Sequence, residues 1–175
     1  TATYRNYTVT WNGNGGTPSK SSSSFHYNDA LGTLPTATRT GYTFKGWSTS
    51  ASGSVNVSTT TKVTGNVTYY AVWQINSYTL TVTAGTGGTV SGGGTYNYGE
   101  TATLKATASS GYHFVKWSDG NTNASRTVTV TGNATYTATF EQDPYLNLDK
   151  TSLTFEAAGG TQTVKVTSNV NWTVS

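Results

Sequence analysis

Apolar and hydroxyl-bearing residues alternate along most of this chain. The stretch YTLTVT at 78–83 alternates ring or aliphatic side chains with threonines, and YTATF at 136–140 does the same. A period of two is typical of a β-strand with one buried face. Helical periodicity is absent, although the segment SKSSSSFHYNDALG at 19–32 has room for one short helical turn. The pattern predicts a mainly β protein.

The chain contains two copies of one pattern. GYTFKGWS at 41–48 returns as GYHFVKWS at 111–118, and four blocks recur in the same order, starting at residues 7 and 78, 25 and 96, 41 and 111, and 63 and 130. The separations of 71, 71, 70 and 67 residues drift, so the length changes fall in Gly-, Ser- and Asn-rich stretches between the blocks. Loops tolerate such changes, and the blocks are therefore predicted to be the strands of two duplicated modules.

Two quoted stretches carry a resemblance to a known family. GYTFKGWSTSASG followed by VTGNVTYYAVW resembles the Listeria–Bacteroides repeat, the B-repeat of internalin-type surface proteins, over residues 4–74. Residues 78–141 are similar to the divergent form of that repeat, with Lys116 in place of Gly46. The resemblance implies small β-grasp-like modules that occur in long extracellular chains as spacers or weakly adhesive units, without catalytic residues.

The pattern changes after EQDPY at 141–145, where Asp143-Pro144 marks a predicted junction. Alternation around Leu153 and Phe155, around Val164 and Val166, and along 170–174 with Val170, Trp172 and Val174 predicts further strands. FEAAGGTQTVKVTSNVNWTVS is similar to the opening strands of the Bacteroidetes-associated carbohydrate-binding domain that is often N-terminal in surface enzymes. Because an immunoglobulin-like sandwich takes about 100 residues, residues 145–175 are expected to form only a truncated immunoglobulin-like β-sandwich segment.

The predicted organisation therefore has three parts. Residues 1–74 form the first B-repeat-like module, 75–142 the second and divergent one, and 143–175 the partial sandwich segment. The connection QINS at 74–77 is too short for the two modules to tumble freely, so a semi-rigid arrangement is expected.

Composition narrows the function. The net charge is +3, but the ten basic residues are scattered singly, which argues against a nucleic-acid interface. No apolar run approaches the roughly 20 residues of a transmembrane helix, and the first residues do not resemble a signal peptide. The absence of cysteine excludes disulfides, thiolate metal sites and thiol catalysis.

Aromatic residues are abundant, with 12 Tyr, 5 Trp and 5 Phe. The rings at repeated positions are interpreted as structural core because a module of about 70 residues needs large side chains to fill its interior. They are Trp47, Trp117, Phe44, Phe114, Tyr42 and Tyr112. A sugar-stacking platform at the two tryptophans is the alternative.

Tyr70 and Val72 are candidates for partner or glycan contact. They lie on the outer face of the last strand of the first module, where the second copy has threonines. We expect either that the segment 18–35, with Leu31 and Leu34, folds over this face, or that the face binds a partner, because monomers seldom expose large apolar patches.

Catalytic chemistry finds no support. The seven carboxylates form no repeated pair of the kind a glycosidase uses, and His26 and His113 are single residues in strand-like segments. SDGNTNAS at 118–125 has a calcium-loop spacing, but the twelfth position of such a loop would be Val130 instead of glutamate. No enzymatic activity, metal or cofactor is expected.

These observations predict a non-catalytic, tandem-module segment of a bacterial cell-surface protein that acts as a stalk or adhesive spacer. The alternative is a carbohydrate-binding module of a surface glycan-utilisation protein. Either role implies an extracellular location, neighbouring domains in a longer parent chain, and as partner a host or environmental glycan or a surface protein. Neither nucleic-acid binding nor membrane insertion is expected of this segment.

Overall fold

A computed structural model describes residues 5–155, 157 and 159–173. Every regular element in that part of the chain is a β-strand. The mainly β prediction is confirmed. The first four residues of the predicted first module, and Val174 of the last predicted strand, lie outside the described residues.

The first module contains six strands in the part that the structure describes. They are β1 (Asn6–Asn12), β2 (Thr17–Pro18), β3 (Ser22–His26), β4 (Ala37–Thr38), β5 (Tyr42–Ser48) and β6 (Val67–Ile75). Four of them form a sheet in the order β3-β1-β6-β5, and the short strands β2 and β4 pair separately. β1 and β6 are parallel neighbours, whereas β3 and β5 join the sheet edges antiparallel to them.

The short helical turn for which 19–32 has room does not form, because Ser22–His26 form β3 instead. β3 pairs antiparallel with β1 and places Phe25 opposite Tyr7. Phe25 packs against the hydrophobic core of the module, while alternate serines face solvent. Serine has modest helix propensity, so burial of one ring and a ladder of backbone hydrogen bonds decide in favour of the strand.

Aromatic side chains fill the core of the first module. The Trp47 ring lies 4.9 Å from the Trp11 ring and 5.4 Å from the Phe44 ring, measured between centroids. The buried members of the cluster are Val9, Trp11, Leu31, Ala37, Trp47, Val57, Val63, Tyr69 and Ala71. Rings therefore supply much of the packed volume of this module.

The second module contains seven strands. They are β7 (Ser77–Ala84), β8 (Gly88–Ser91), β9 (Gly94–Asn97), β10 (Thr101–Ala108), β11 (Tyr112–Trp117), β12 (Ser125–Thr129) and β13 (Ala134–Gln142). One sheet has the order β11-β13-β7-β9 and another the order β12-β10-β8. The alternation noted at 78–83 corresponds to β7, in which Leu80 is buried between exposed threonines.

The two modules repeat the same strand registers. Tyr78 lies opposite Tyr96, at the positions that Tyr7 and Phe25 occupy in the first module. The antiparallel pairs β5–β6 and β11–β13 each shift register after their phenylalanine. A duplicated sequence block therefore carries a duplicated bulge, as expected of a feature that sets strand twist.

A repeated asparagine ties the last strand of each module to its first. In the first module the Thr8 N–H donates to the Asn66 side-chain oxygen at 2.8 Å, and in the second the Thr79 N–H donates to that of Asn133 at 2.8 Å. Both asparagines belong to the TGN turns that the sequence repeats.

The chain divides into two compact units. One comprises 1–81, 93–102 and 127–134, and the other comprises 82–92, 103–126 and 135–175. The first module lies within the first unit, whereas the boundary between the units runs through strands of the second module.

A single residue, Asn76, joins β6 to β7. Its N–H donates to the Gly41 carbonyl at 2.9 Å, its carbonyl accepts from the Tyr98 N–H at 2.8 Å, and its side-chain oxygen accepts from the Thr43 hydroxyl at 2.6 Å. The connection is therefore held on both sides by hydrogen bonds.

The end of the second module repeats part of this arrangement. The Asp143 N–H donates to the Gly111 carbonyl at 2.8 Å, as Asn76 does to Gly41. The Asp143 carbonyl accepts from the Asn169 side chain at 2.9 Å.

The third segment has little regular structure in its described part. β14 (Leu146–Leu148) and β15 (Val166–Ser168) form a two-stranded antiparallel sheet. The strands predicted around Leu153 and Phe155 and around Val170 and Trp172 are wrong for the described residues, which are irregular there. These four side chains are 36–52% exposed, so no sheet among the described residues buries them and fixes a strand.

Candidate binding surface of the first module

Trp47 and Trp117 are fully buried. Trp47 donates its indole N–H to the Pro35 carbonyl at 2.7 Å, and Trp117 donates its own to the Asn123 carbonyl at 2.9 Å. A buried indole needs such a partner for its one polar group. Because a sugar platform requires an exposed ring face, neither tryptophan is available to a glycan in this structure.

The other repeated rings are half-buried. Phe44 and Phe114 pack against the tryptophans of their own modules, at centroid distances of 5.4 and 5.6 Å. Tyr42 lies at the surface of the first module beneath Arg39, and Tyr112 lies against Gly87.

Tyr70 and Val72 are half-buried on the outer face of β6. Tyr70 lies opposite Ser48 and Val72 lies opposite Gly46 across the β5–β6 pair. Their neighbours Tyr69 and Ala71 point to the opposite, buried face. This strand is therefore apolar on both faces.

The expected cover of that outer face by 18–35 is wrong. Leu31 is buried in the core cluster on the inner face, and Leu34 packs against the same cluster. On the neighbouring strand β5, the loop 49–56 lies close by, with Val55 beside Gly46 and Gly53 beside Ser48. The alternation of a strand shows that a face is apolar, but it does not show which distant loop lies over it.

Arg39 lies next to this face and packs on the ring of Tyr42. Its Cζ lies 3.7 Å from the centroid of the Tyr42 ring, a close cation–π contact. Gly15, with φ +89°, lies on another side, where an added Cβ would stand 3.3 Å from the same Cζ. Arg39 Nη1 also donates to the Asn14 carbonyl over a long 3.5 Å.

Two depressions border Arg39 and Tyr42. The larger is a groove of about 780 Å³ between 15–17 and 37–40. The smaller, of about 270 Å³, extends to the loop 51–53 and to Val72. Sequence reasoning singled out Val72 but missed Arg39, although Arg39 replaces a serine of the second copy just before the repeated Gly-Tyr.

The two histidines each pair with one carboxylate at the surface. His26 Nδ1 lies 3.3 Å from Asp29 Oδ2, and His113 Nδ1 lies 2.9 Å from Asp143 Oδ1. Among the described residues, no group of three or more His, Asp or Glu side chains is placed to hold a metal ion.

The loop with calcium-like spacing is held by an arginine. Arg126 Nη1 donates to Asp119 Oδ2 at 2.6 Å, and this bond is the main reason why the pKa of Asp119 lies below its ordinary value. Asp119 and Asn121 accept backbone N–H bonds within the loop. The carboxylate therefore has a structural partner.

The described part of the chain is a β protein whose first module carries a half-buried apolar face and a groove beside Arg39. Within the described part of the chain, no helix has the length and apolar character that crossing a bilayer requires. Two small modules with buried aromatic centres, joined by one residue, define a tandem β-repeat.

Family comparisons assign both modules. Residues 7–72 match the model of the Listeria–Bacteroides repeat domain, and residues 78–144 match that of the divergent InlB B-repeat domain. The chain thus carries one repeat of each family in tandem. Such repeats are typical of bacterial surface proteins and are generally non-catalytic. Searches of curated proteins and of solved structures gave no significant match.

Proposed function

We propose that this segment acts as a semi-rigid, non-catalytic spacer in an extracellular protein of the bacterial cell surface. The observation that carries the proposal is the one-residue connection at Asn76, which accepts and donates hydrogen bonds toward Gly41, Thr43 and Tyr98. A flexible linker would need several residues free of such contacts. A spacer that holds a neighbouring domain away from the envelope benefits from stiffness at its joints.

The finer fold assignment supports the same role. We infer a β-grasp-like arrangement in each repeat, since the first and last strands of the first module, β1 and β6, run parallel side by side. We also propose that residues 145–175 belong to an immunoglobulin-like sandwich, since Leu146, Leu148, Phe155 and Trp172 are exposed and are the side chains that an apposed sheet would cover.

Nuclear spin relaxation of the intact chain tests the spacer. We expect the amides of residues 7–72 and 78–142 to report one common rotational correlation time. Insertion of Gly-Ser-Gly-Ser after Asn76 should separate the two values, since it lengthens the joint without touching either core. Separate correlation times in the unmodified chain would refute the semi-rigid spacer.

Carbohydrate binding by the third segment is a second candidate. Phe155 and Trp172 are 52% and 46% exposed, and exposed rings stack on sugars. A glycan array probed with the intact chain and with Trp172→Ala tests it. Binding that persists in Trp172→Ala, or no binding at all, would remove this candidate.

A further inference from the structure

The Arg39 guanidinium is fixed in place but makes few polar contacts. It is held between the Tyr42 ring and the backbone of Gly15. A guanidinium carries five N–H donors, and the hydrogen bond found for this one is the 3.5 Å contact to the Asn14 carbonyl. Among the described residues, no carboxylate forms an ion pair with Arg39. A pre-positioned cation therefore lines the groove between 15–17 and 37–40 with donors to spare.

The second module shows that the repeat does not need this arginine. Ser109 takes the equivalent position, since its carbonyl accepts the Tyr112 N–H at 3.1 Å just as the Arg39 carbonyl accepts the Tyr42 N–H at 3.1 Å. Gly87 then packs directly on the Tyr112 ring, where an added Cβ would overlap the ring. In the second module the glycine therefore contacts the tyrosine ring directly, whereas in the first module the Arg39 guanidinium lies between Gly15 and the Tyr42 ring.

The lining of the groove indicates the ligand chemistry. The volume of about 780 Å³ is within the range of small-molecule sites. Besides Arg39 and Tyr42, the lining consists of Gly15, Gly16, Thr17, Ala37, Thr38 and Thr40. Threonine hydroxyls can hydrogen-bond to sugar hydroxyls as donors and acceptors. The lining residues do not form the apolar pocket that would anchor a large side chain of a peptide.

We propose that this groove binds an acidic glycan, with Arg39 pairing to the carboxylate of a uronate residue. The planar guanidinium matches a carboxylate through two parallel N–H···O bonds. Tyr42 and Gly15 hold the guanidinium in one orientation, which reduces the entropy lost on binding. The proposal concerns the first module alone and goes beyond the spacer role.

Titration calorimetry of the full chain with tetragalacturonate tests the site. We expect saturable binding of tetragalacturonate, no binding of the neutral galactotetraose, and weaker binding as salt is raised. Arg39→Ser installs the residue that the second module uses, so the fold should survive, which a melting curve verifies. Loss of a charged hydrogen bond predicts a dissociation constant raised by about tenfold or more.

Arg5→Ser is the matched control, because it removes the same charge from an exposed residue ahead of β1. It should bind tetragalacturonate as the unmodified chain does. Equal losses in both variants would reduce the effect to general charge attraction and overturn the site. Unchanged affinity in Arg39→Ser would also overturn it, and so would a tetraglutamate peptide that binds through Arg39 as tightly as the uronate.

Discussion

Equivalent side chains in the two modules fill the same core position but bond to different loops. Trp47 and Trp117 are both fully buried, yet the carbonyl that accepts the indole N–H precedes the ring in one module, at Pro35, and follows it in the other, at Asn123. A repeated ring therefore marks a repeated volume to fill, and the chain finds its polar partner from whichever loop is near.

Truncation of either buried ring should be costly. Trp47→Ala and Trp117→Ala are each expected to lower the free energy of unfolding by about 3–5 kcal/mol, because each leaves a large cavity. Trp172→Ala is the matched control, since this tryptophan is 46% exposed, and it should change stability by no more than about 0.5 kcal/mol. Calorimetric melting of the three variants measures this, and unchanged transitions for the two buried positions would contradict a core role.

Asp119 predicts a pH-dependent contribution to stability. Arg126 lowers the pKa of Asp119 in the folded chain, so the contribution is complete above the ordinary aspartate pKa of about 4 and is lost as pH falls through the lower folded pKa. Asp119→Asn should therefore melt slightly below the unmodified chain at pH 7 and together with it once the pH lies below the folded pKa of Asp119. The effect is small because Asp119 is 39% exposed. An equal gap at both pH values would contradict the assignment.

At the scale of elements, alternation and repetition predicted the long, half-buried strands such as β7 and β13. The buried Leu80 of β7 and Ala138 of β13 follow directly from period two. The segment 19–32 was harder, since its serines carry no alternation that differs from a polar loop, and only the pairing of Phe25 with Tyr7 makes it a strand. Such pairings depend on residues distant in the chain.

The candidate surface was less accessible to sequence reasoning. Val72 stood out because threonine replaces it in the second module, but Arg39 did not, because its role depends on Gly15 and Tyr42 meeting around it. The mistaken cover by Leu31 has the same origin: an apolar loop residue reveals no preference for one face of a sheet until the core is assembled.

Two equivalent glycines allow the backbone to approach an aromatic ring closely. A Cβ at Gly16 would overlap the Trp73 ring, and a Cβ at Gly88 would overlap the Phe140 ring. Gly16→Ala and Gly88→Ala are each expected to destabilise the chain by about 1–3 kcal/mol through overpacking. Gly65→Ala and Gly132→Ala are controls with open space around the new methyl group. Chemical denaturation compares the four, and equal stability throughout would show that the rings move aside freely.

At the scale of the whole chain, the duplication means that both modules use the same contacts to join their first and last strands. Each module uses one asparagine, Asn66 or Asn133, to bring the start of its last strand to its first strand. In the second module the hydrogen bonds from Thr79 to Asn133 and from Gly85 to Ala138 advance along both strands together, so β7 and β13 run in the same direction, as β1 and β6 do.

That parallel pairing has a mechanical consequence. When the chain is pulled from both ends, the force enters the first module through β1 and leaves it through β6. Because these neighbouring strands are parallel, the force loads them in shear. All the hydrogen bonds between the two strands then bear the force together instead of breaking one by one. Single-molecule stretching should therefore show abrupt rupture at high force for each module, with a lower force in Asn66→Ala for the first. Since forced unfolding follows the unfolding rate, the rupture force should rise with pulling speed. Gradual extension without discrete rupture would contradict this mechanism. Sharp events would mean that the chain under tension keeps its length up to a threshold force and then lengthens one module at a time.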